Sequence, residues 1–352
     1  MNILYGVPGE GMGHATRSKV VIDYLLQNHN VEVVSSSRAF QFLNKNFPNR
    51  VHEIEGMHFA FKGSEVSKTG TFLLNLKNAP NLLFQNFIEY LHLKKDFKVD
   101  LVISDFETFT TLFAKRHDLP LISIDNMQVI NRCKLDIKIP SDEKKNHTIS
   151  KSIIKMKVPK ADHYFITSFF DAVIQKENTT LVPPIVRQSI IDAKTQKGEH
   201  ILMYQTSSKQ NDVSTILHQI PNQIFYVYGF NKDVIDKNVI FKSFSEDGFV
   251  ADLASAKAVI ANGGFSFISE AVYLKKPVFS FPLKNQFEQF VNAAYIDKMG
   301  FGLHFDDFTS DNLKAFLFDL SSFLENLQHY NQIENEVLFG LLNDKLSEYE
   351  NK

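Results

Sequence analysis

Hydrophobic and polar positions follow two rhythms in the first half of the chain. Asn2 to Val7 (NILYGV) is the kind of short apolar run that a strand covered on both faces requires. From His14 to Gln27 the apolar residues Val20, Val21, Tyr24 and Leu25 return at helical spacing. The two rhythms then repeat. Strands are predicted at Val31 to Ser35, Val51 to Ile54, Asp100 to Ser104 and Leu119 to Ile124, and helices at Arg38 to Asn46, Thr71 to Lys95 and Thr108 to His117. Such alternation builds a mostly parallel sheet with helices on both faces.

Past Pro140 the series stalls. Residues Pro140 to Lys160 are rich in lysine, His163 to Thr167 reads as one more strand, and Leu181-Val182-Pro183-Pro184 follows, where two prolines forbid continued regular structure. Thr179 to Lys197 therefore reads as a linker between an N-terminal domain, 1–178, and a C-terminal domain, 198–330. In the second domain strands are predicted at His200 to Tyr204, Gln223 to Tyr228, Asn238 to Phe241, Ala258 to Asn262 and Pro277 to Phe281. Helices fit Asp212 to Gln219, Asp247 to Ser255, Phe265 to Leu274 and Gln286 to Met299. The chain is helical from Thr309 onward, and 331–352 is expected as a C-terminal helix able to pack back on the N-terminal domain. The fold class is α/β: two Rossmann-like doubly wound domains facing a cleft, with a helical tail. Ligands of such sheets bind beyond the carboxyl ends of the strands.

Composition narrows the function. At 352 residues two domains are expected, and 38 basic against 40 acidic residues leave a net charge of −2, which excludes a domain-wide basic field for nucleic acid. Cys133 is the only cysteine, so there is no intramolecular disulfide, no cysteine zinc site and no CxxC motif. The N-terminus lacks the basic stretch of a signal peptide, and the charge-free Val213 to Asn231 is too polar to span a bilayer. A soluble, cytoplasmic protein is expected.

Two glycine clusters carry the candidate chemistry. Gly9-Glu-Gly11-Met-Gly13-His14 joins the first strand to the first helix, where glycines let the backbone approach a ligand. Its G-x-G-x-G spacing differs from a dinucleotide fingerprint, and Ser35, Ser36 and Ser37 stand where an acid should hold a ribose. His14 opens a helix whose dipole disfavours added positive charge, which suits a neutral imidazole acting as general base. Arg17, one turn on, faces the same way and is a candidate for an anionic ligand or a plain surface residue.

The second cluster lies in Val259 to Asn292. A strand ends at Asn262, Gly263-Gly264 makes the turn and Phe265 opens a helix whose N–H groups can hold a diphosphate. Glu270 follows roughly 9 Å along that helix, at about 1.5 Å per residue, the reach from a diphosphate to ribose hydroxyls. Glu288, Gln289 and Asn292 combine a carboxylate with amides, a set that suits the hydroxyls of a sugar.

The residues Gly264, Glu270, Lys276-Pro277, Pro282 and Glu288-Gln289-Phe-Val-Asn292 resemble the donor-binding region of GT-B glycosyltransferases, in particular MurG-like enzymes and the UDP-glycosyltransferase group. The N-terminal Gly-x-Gly-x-Gly-His-x-x-Arg resembles a prokaryotic MurG-like glycosyltransferase family, so the resemblance covers both domains in order. It implies an inverting transfer of a hexose-type sugar from a UDP-sugar to a hydroxyl acceptor, with no cofactor and no metal. On this resemblance Gly263, Gly264, Phe265 and Ser266 surround the diphosphate, Glu270 holds the ribose, and Glu288 and Gln289 hold the donor sugar. Thr206 and Ser207 contact phosphate and Phe244 borders the base. His14 is the base and Asp105 its orienting partner, while Gly11, Gly13, Arg17, Asp125 and Asn126 border the acceptor. One residue departs from the pattern: Asn262 stands where related enzymes carry His or Arg against the diphosphate.

The acceptor stays open. Apolar residues near Phe59, Phe61 and Phe72, and lysines Lys144, Lys145, Lys151, Lys155, Lys157 and Lys160 beside Ile149, Ile153 and Ile154, fit either core helix and solvated loop or a face lying on an anionic membrane. The second reading implies a lipid-linked acceptor or cell-surface glycan precursor handled at the inner membrane face. There are two rivals: a UDP-GlcNAc 2-epimerase-like enzyme, which shares the fold although the acid-Gln-x-x-Asn element and the Gly-x-Gly-x-Gly-His loop favour transfer, and a sugar-nucleotide-binding protein without catalysis.

Overall fold

Each continuous apolar run lies inside a sheet covered on both faces. In the computed structural model, which describes residues 1–9, 11–56, 61–62, 65–66, 86, 95, 97–196, 198–205, 210–331 and 334–350, the two halves of the chain each carry a seven-stranded sheet. Strands β1 (Asn2–Gly6), β2 (Asn30–Ser35), β3 (Val51–Glu53), β4 (Leu101–Ser104), β5 (Leu121–Asp125), β6 (His163–Thr167) and β7 (Thr179–Val182) run parallel in the order β7-β6-β5-β4-β1-β2-β3. Ile3, Leu4 and Tyr5 on β1 and Leu101, Val102 and Ile103 on β4 are fully buried, as a central parallel strand demands.

The C-terminal sheet consists of β8 (His200–Tyr204), β9 (Ile224–Tyr228), β10 (Val234–Asp236), β11 (Val239–Phe241), β12 (Ala258–Ala261), β13 (Val278–Ser280) and β14 (Gly302–His304). Its order is β10-β11-β9-β8-β12-β13-β14, with β10 alone antiparallel. Strand order reverses beside β1 in one sheet and beside β8 in the other. Loops leaving neighbouring strands there diverge and open a crevice. Both glycine clusters follow a strand that borders such a switch point, β1 and β12.

Six helices bear on the site: α1 (Met12–Leu25), α2 (Thr108–His117), α3 (Glu143–Lys157), α4 (Phe265–Tyr273), α5 (Phe287–Lys298) and α6 (Glu336–Glu350). Aromatic packing closes the domains on each other: Phe170 stacks on Tyr295 with ring centroids 3.5 Å apart, and Phe169 lies 6.0 Å from Phe265. The tail crosses back. Leu338, Leu342 and Leu346 of α6 share the N-terminal core with Ile22 and Leu25, and Phe339 stacks on Tyr24.

Two expectations need correction. Thr179 to Lys197 is no free linker: Thr179–Val182 pairs with β6 as the edge strand of the N-terminal sheet, and the prolines end it rather than prevent it. The remainder is a strap: Asn335, just ahead of the tail helix, bonds both backbone groups of Val186, and the Lys276 ammonium of the C-terminal domain donates to the Gln196 carbonyl at 3.0 Å. The lysine-rich stretch after Pro140, where the alternation stalls in the sequence, is the helix α3, anchored by Ile154 as its one buried residue, so no apolar stripe marks it. The helix expected over 71–95, together with Phe59 and Phe72, lies outside the described residues apart from positions 86 and 95, while Phe61 falls in the two-residue strand Phe61–Lys62.

Burial of Lys276 gives the strap a pH signature. Desolvation pulls its ammonium down to about 8. An amine lowered by folding sheds its proton in the folded state first, so folding gains stability as pH rises from there toward about 10.4, the unfolded value. The stability of Lys276→Met relative to wild type should therefore fall steadily between pH 7 and pH 10 in urea unfolding. A constant difference across that range would remove the burial penalty from the account.

Candidate active site

Asp105 follows the last residue of β4 and is 1% exposed. Its carboxylate is the meeting point of α1. His14 Nδ1 lies 3.0 Å from Oδ1, Arg17 donates from Nε to Oδ2 at 2.8 Å and from Nη2 to Oδ1 at 2.5 Å, and the Ser18 hydroxyl donates to Oδ2 at 3.0 Å. Residues 14, 17 and 18 share one helix face, so the loop after β1 delivers all three donors at once. Burial on its own would raise the Asp105 pKa. The Arg17 charge and then His14 outweigh it and hold the carboxyl well below the usual carboxylate range. Burial likewise opposes the Arg17 charge, and Asp105 overcomes it.

The His14 ring is one-fifth exposed and is the partner that faces the cleft. Its Nδ1 lies 2.7 Å from Arg17 Nη2, so two nitrogens converge on one carboxylate oxygen. A hydrogen on Nδ1 satisfies Asp105 and leaves the lone pair on Nε2. The opposite tautomer accepts from Arg17 and places the hydrogen on Nε2.

Across the cleft α4 starts at Gly264 with no side-chain cap, so its first N–H groups are open to a ligand. Gly263 has φ +92°, and a Cβ there would stand 2.6 Å from the Gln289 carbonyl oxygen, so only glycine fits the turn. The two glycine loops touch: the Ser266 hydroxyl donates to the Gly13 carbonyl at 3.1 Å, and a Cβ on Gly13 would lie 2.8 Å from that hydroxyl oxygen. Phe265 contributes its backbone only, since its ring is buried against Phe169.

The carboxylate of Glu270, expected at a ribose, is gripped by Arg187 of the strap, Nε to Oε1 at 2.7 Å and Nη2 to Oε2 at 2.8 Å, with Glu246 3.3 Å from Nη1. Burial opposes the Arg187 charge, but the two glutamates outweigh it. Sequence reading missed Arg187. Its signal was a cation just past two prolines in a stretch read as spacer.

Several expected acceptor and donor residues have structural work instead. Asp125 is fully buried, accepting from the Ser123 hydroxyl and the Gln128 N–H, and Arg17 is 4% exposed, so neither side chain is free to meet an acceptor. Asn126 is buried between Arg17 and Glu288. Asn292 is 2% exposed and donates to the Gly263 carbonyl at 2.9 Å, which anchors the glycine turn rather than reaching a sugar. The Gln289 side-chain Oε1 accepts from Leu283 N–H, and the Asn262 side-chain amide donates to the Phe281 carbonyl. Phe244 is largely exposed beside Phe249. Thr206 and Ser207 lie outside the described residues.

Two Rossmann-like domains whose glycine loops meet at a shared cleft define the GT-B glycosyltransferase fold. A family model for glycosyl transferase family 1 matches residues 1–321. The chain belongs to that family and is a glycosyltransferase. Over 332 residues it is 26% identical to an uncharacterized glycosyltransferase of Methanosarcina mazei, covering 86% of this chain and 85% of that one. The calicheamicin glycosyltransferase CalG4 has the same fold, with a TM-score of 0.65 at 15% identity over 100% of this chain and 98% of that one. So does Phytolacca americana UGT2, solved with UDP-2fluoro-glucose and pterostilbene, with a TM-score of 0.66 at 13% identity over 99% and 100%.

Arg187→Ala leaves Glu270 as a buried carboxylate without its bidentate partner. It should lower the unfolding free energy by about 3 kcal/mol, measured by urea titration; a loss below about 1 kcal/mol, the range of exposed pairs, would mean that water already screens this one.

Proposed function

We propose that the chain catalyses inverting, metal-independent transfer of a hexose-type sugar from a UDP-sugar to a hydroxyl acceptor. The observation that carries this reading is the contact of the two glycine loops with the His14–Asp105 pair beside it. In the tautomer with hydrogen on Nδ1, His14 Nε2 takes the acceptor's proton as the acceptor oxygen bonds to the anomeric carbon. The bond from that carbon to the β-phosphate oxygen breaks, and UDP leaves with the electron pair. Negative charge grows on the phosphate beside the N–H groups that open α4, whose orientation is fixed before reaction.

Glu270 keeps lone pairs beyond the two that Arg187 uses, and these suit ribose hydroxyls. One oxygen of Glu288, with the Gln289 amide nitrogen, suits the hydroxyls of the sugar. Metal-free chemistry draws support from the only acidic pair at the end of β4: Asp105 is neutralised by Arg17, and Glu107 caps α2 by accepting from the Phe109 and Thr110 N–H groups. With Asn262 uncharged, the diphosphate would rest on backbone dipoles.

For the acceptor, the outer side of α3 offers exposed Ile153 and Met156, and exposed Val173 and Ile174 come with nearby Lys176, whose pKa is lowered by burial and by the charges of Lys155, Arg132 and Lys151. Such a basic, apolar surface suits an anionic membrane and hence a lipid-linked acceptor or glycan precursor. No helix among the described residues is long and apolar enough to cross a membrane.

Wild-type protein incubated with UDP-sugars and hydroxyl acceptors should release UDP, and His14→Ala should lose about 100-fold or more of that turnover with UDP affinity unchanged. Turnover surviving in His14→Ala would dismiss the base. In sedimentation with phosphatidylglycerol vesicles, Lys151→Glu with Lys155→Glu should weaken binding about ten-fold or more. Wild-type protein that stays in the supernatant would remove the membrane from the proposal.

A further inference from the structure

One line of hydrogen bonds crosses the cleft from the catalytic pair to the donor domain. Arg17 Nη1 donates to Asn126 Oδ1 at 2.6 Å, Asn126 Nδ2 donates to Glu288 Oε1 at 2.8 Å, and Asn292 donates to the same oxygen at 3.2 Å and to the Gly263 carbonyl at 2.9 Å. Arg17 and Asn126 come from the N-terminal domain, and Glu288 and Asn292 open α5 in the other.

We propose that Arg17 and Asn126 are positioning residues that tie the carboxylate facing the donor sugar, Glu288, to the His14–Asp105 pair, so that sugar recognition and placement of the base are one event. The inference rests on the glycosyltransferase reading above and deepens it.

The chemistry of the groups fixes the direction of each bond. A guanidinium only donates, so the Asn126 atom facing Arg17 is its carbonyl oxygen. The amide nitrogen then lies on the far side, where the acceptor is a carboxylate oxygen, which only accepts. A cation on one side and an anion on the other leave the amide one orientation. Both Arg17 and Asn126 are buried, so water competes little for these bonds. Among the described residues no donor reaches Glu288 Oε2, which leaves that oxygen for a sugar hydroxyl while Oε1 stays tethered.

At the other end Arg17 holds both oxygens of Asp105 and approaches His14 Nδ1 at 2.7 Å. With Nη1 anchored on Asn126, the guanidinium plane is set, and with it the share of Asp105 left to His14. A sugar that pulls on Glu288 therefore acts on the base through four bonds in series, Glu288–Asn126, Asn126–Arg17, Arg17–Asp105 and Asp105–His14. Arg17 is also too buried to bind acceptor directly, and this role accounts for its burial.

Asn126→Asp is close to isosteric: it keeps an acceptor for Arg17, loses the donor and sets a carboxylate against Glu288. The double variant with Glu288→Gln reverses the bond, the Gln amide donating to the new carboxylate. The probes are UDP, UDP-glucose and UDP-N-acetylglucosamine, by calorimetry and by UDP release. Asn126→Asp should bind UDP within about two-fold of wild type, lose about ten-fold of the extra affinity that a sugar confers, and lose kcat beyond any change in KM. The double variant should exceed the product of the single effects by about five-fold or more. Should Asn126→Asp lose UDP binding as well, Asn126→Ser, which deletes the amide without adding charge, carries the same test. Wild-type sugar affinity and kcat in the Asn126 variants, or purely multiplicative effects in the double variant, overturn the tether alone. Wild-type protein that binds neither UDP-sugar overturns the donor reading and the tether with it.

Discussion

Burying Arg17 and Asp105 together sets the terms for everything else in the cleft. Neither charge could be buried alone, because the cost of desolvating an isolated ion exceeds what any single contact returns. Paired, they need three donors from one face of α1, which fixes the rotation of that helix about its axis and so the place of His14. Asp105 extends the strand next to β1, and its backbone N–H donates to the Gly6 carbonyl, so the carboxylate is as rigid as the sheet. His14, the proposed base, is therefore placed by a buried ion pair rather than by a loop.

The same pair explains why the glycine loops must be small. With α1 fixed by Asp105, the chain from β1 enters the helix at Gly11 to Gly13, and the C-terminal domain approaches that stretch closely enough for Ser266 to bond Gly13. The apolar contacts of Phe169 and Phe170 supply the area that holds the domains together. Polar bonds at Asn126 and Ser266 add direction, since each must be satisfied once water has left the interface.

How much of this could be read in the sequence follows from what each signal depends on. Strands β1, β4 and β12 were legible because burial on both faces leaves an unbroken apolar run, and the glycine turns because backbone conformation restricts the residue type. The His14–Asp105 contact was reachable from topology, both residues lying just beyond neighbouring strands. Arg17, Asn126 and Asp125 were placed at an acceptor because polarity does not tell a buried partner from an exposed one. Arg17 spans 88 and 109 positions to its two partners, and Glu288 spans 162 to Asn126, so no local pattern carries these bonds. The strap hid Arg187 for a related reason: its proline pair marks the end of an edge strand as readily as a spacer.

Two arginines at the site are already matched to carboxylates, Arg17 to Asp105 and Arg187 to Glu270. On the proposed reading, with both of these guanidinium groups committed and Asn262 neutral, the diphosphate leans on the N–H groups that open α4. Such dipoles interact more strongly as charge accumulates on the leaving oxygen, and they do not have to reorganise to do so. A free cation would bind the ground-state diphosphate firmly as well, lowering KM without raising turnover. On that reading, pairing the arginines internally leaves their charge to position carboxylates for the base, the ribose and the sugar, and leaves the developing negative charge to the backbone.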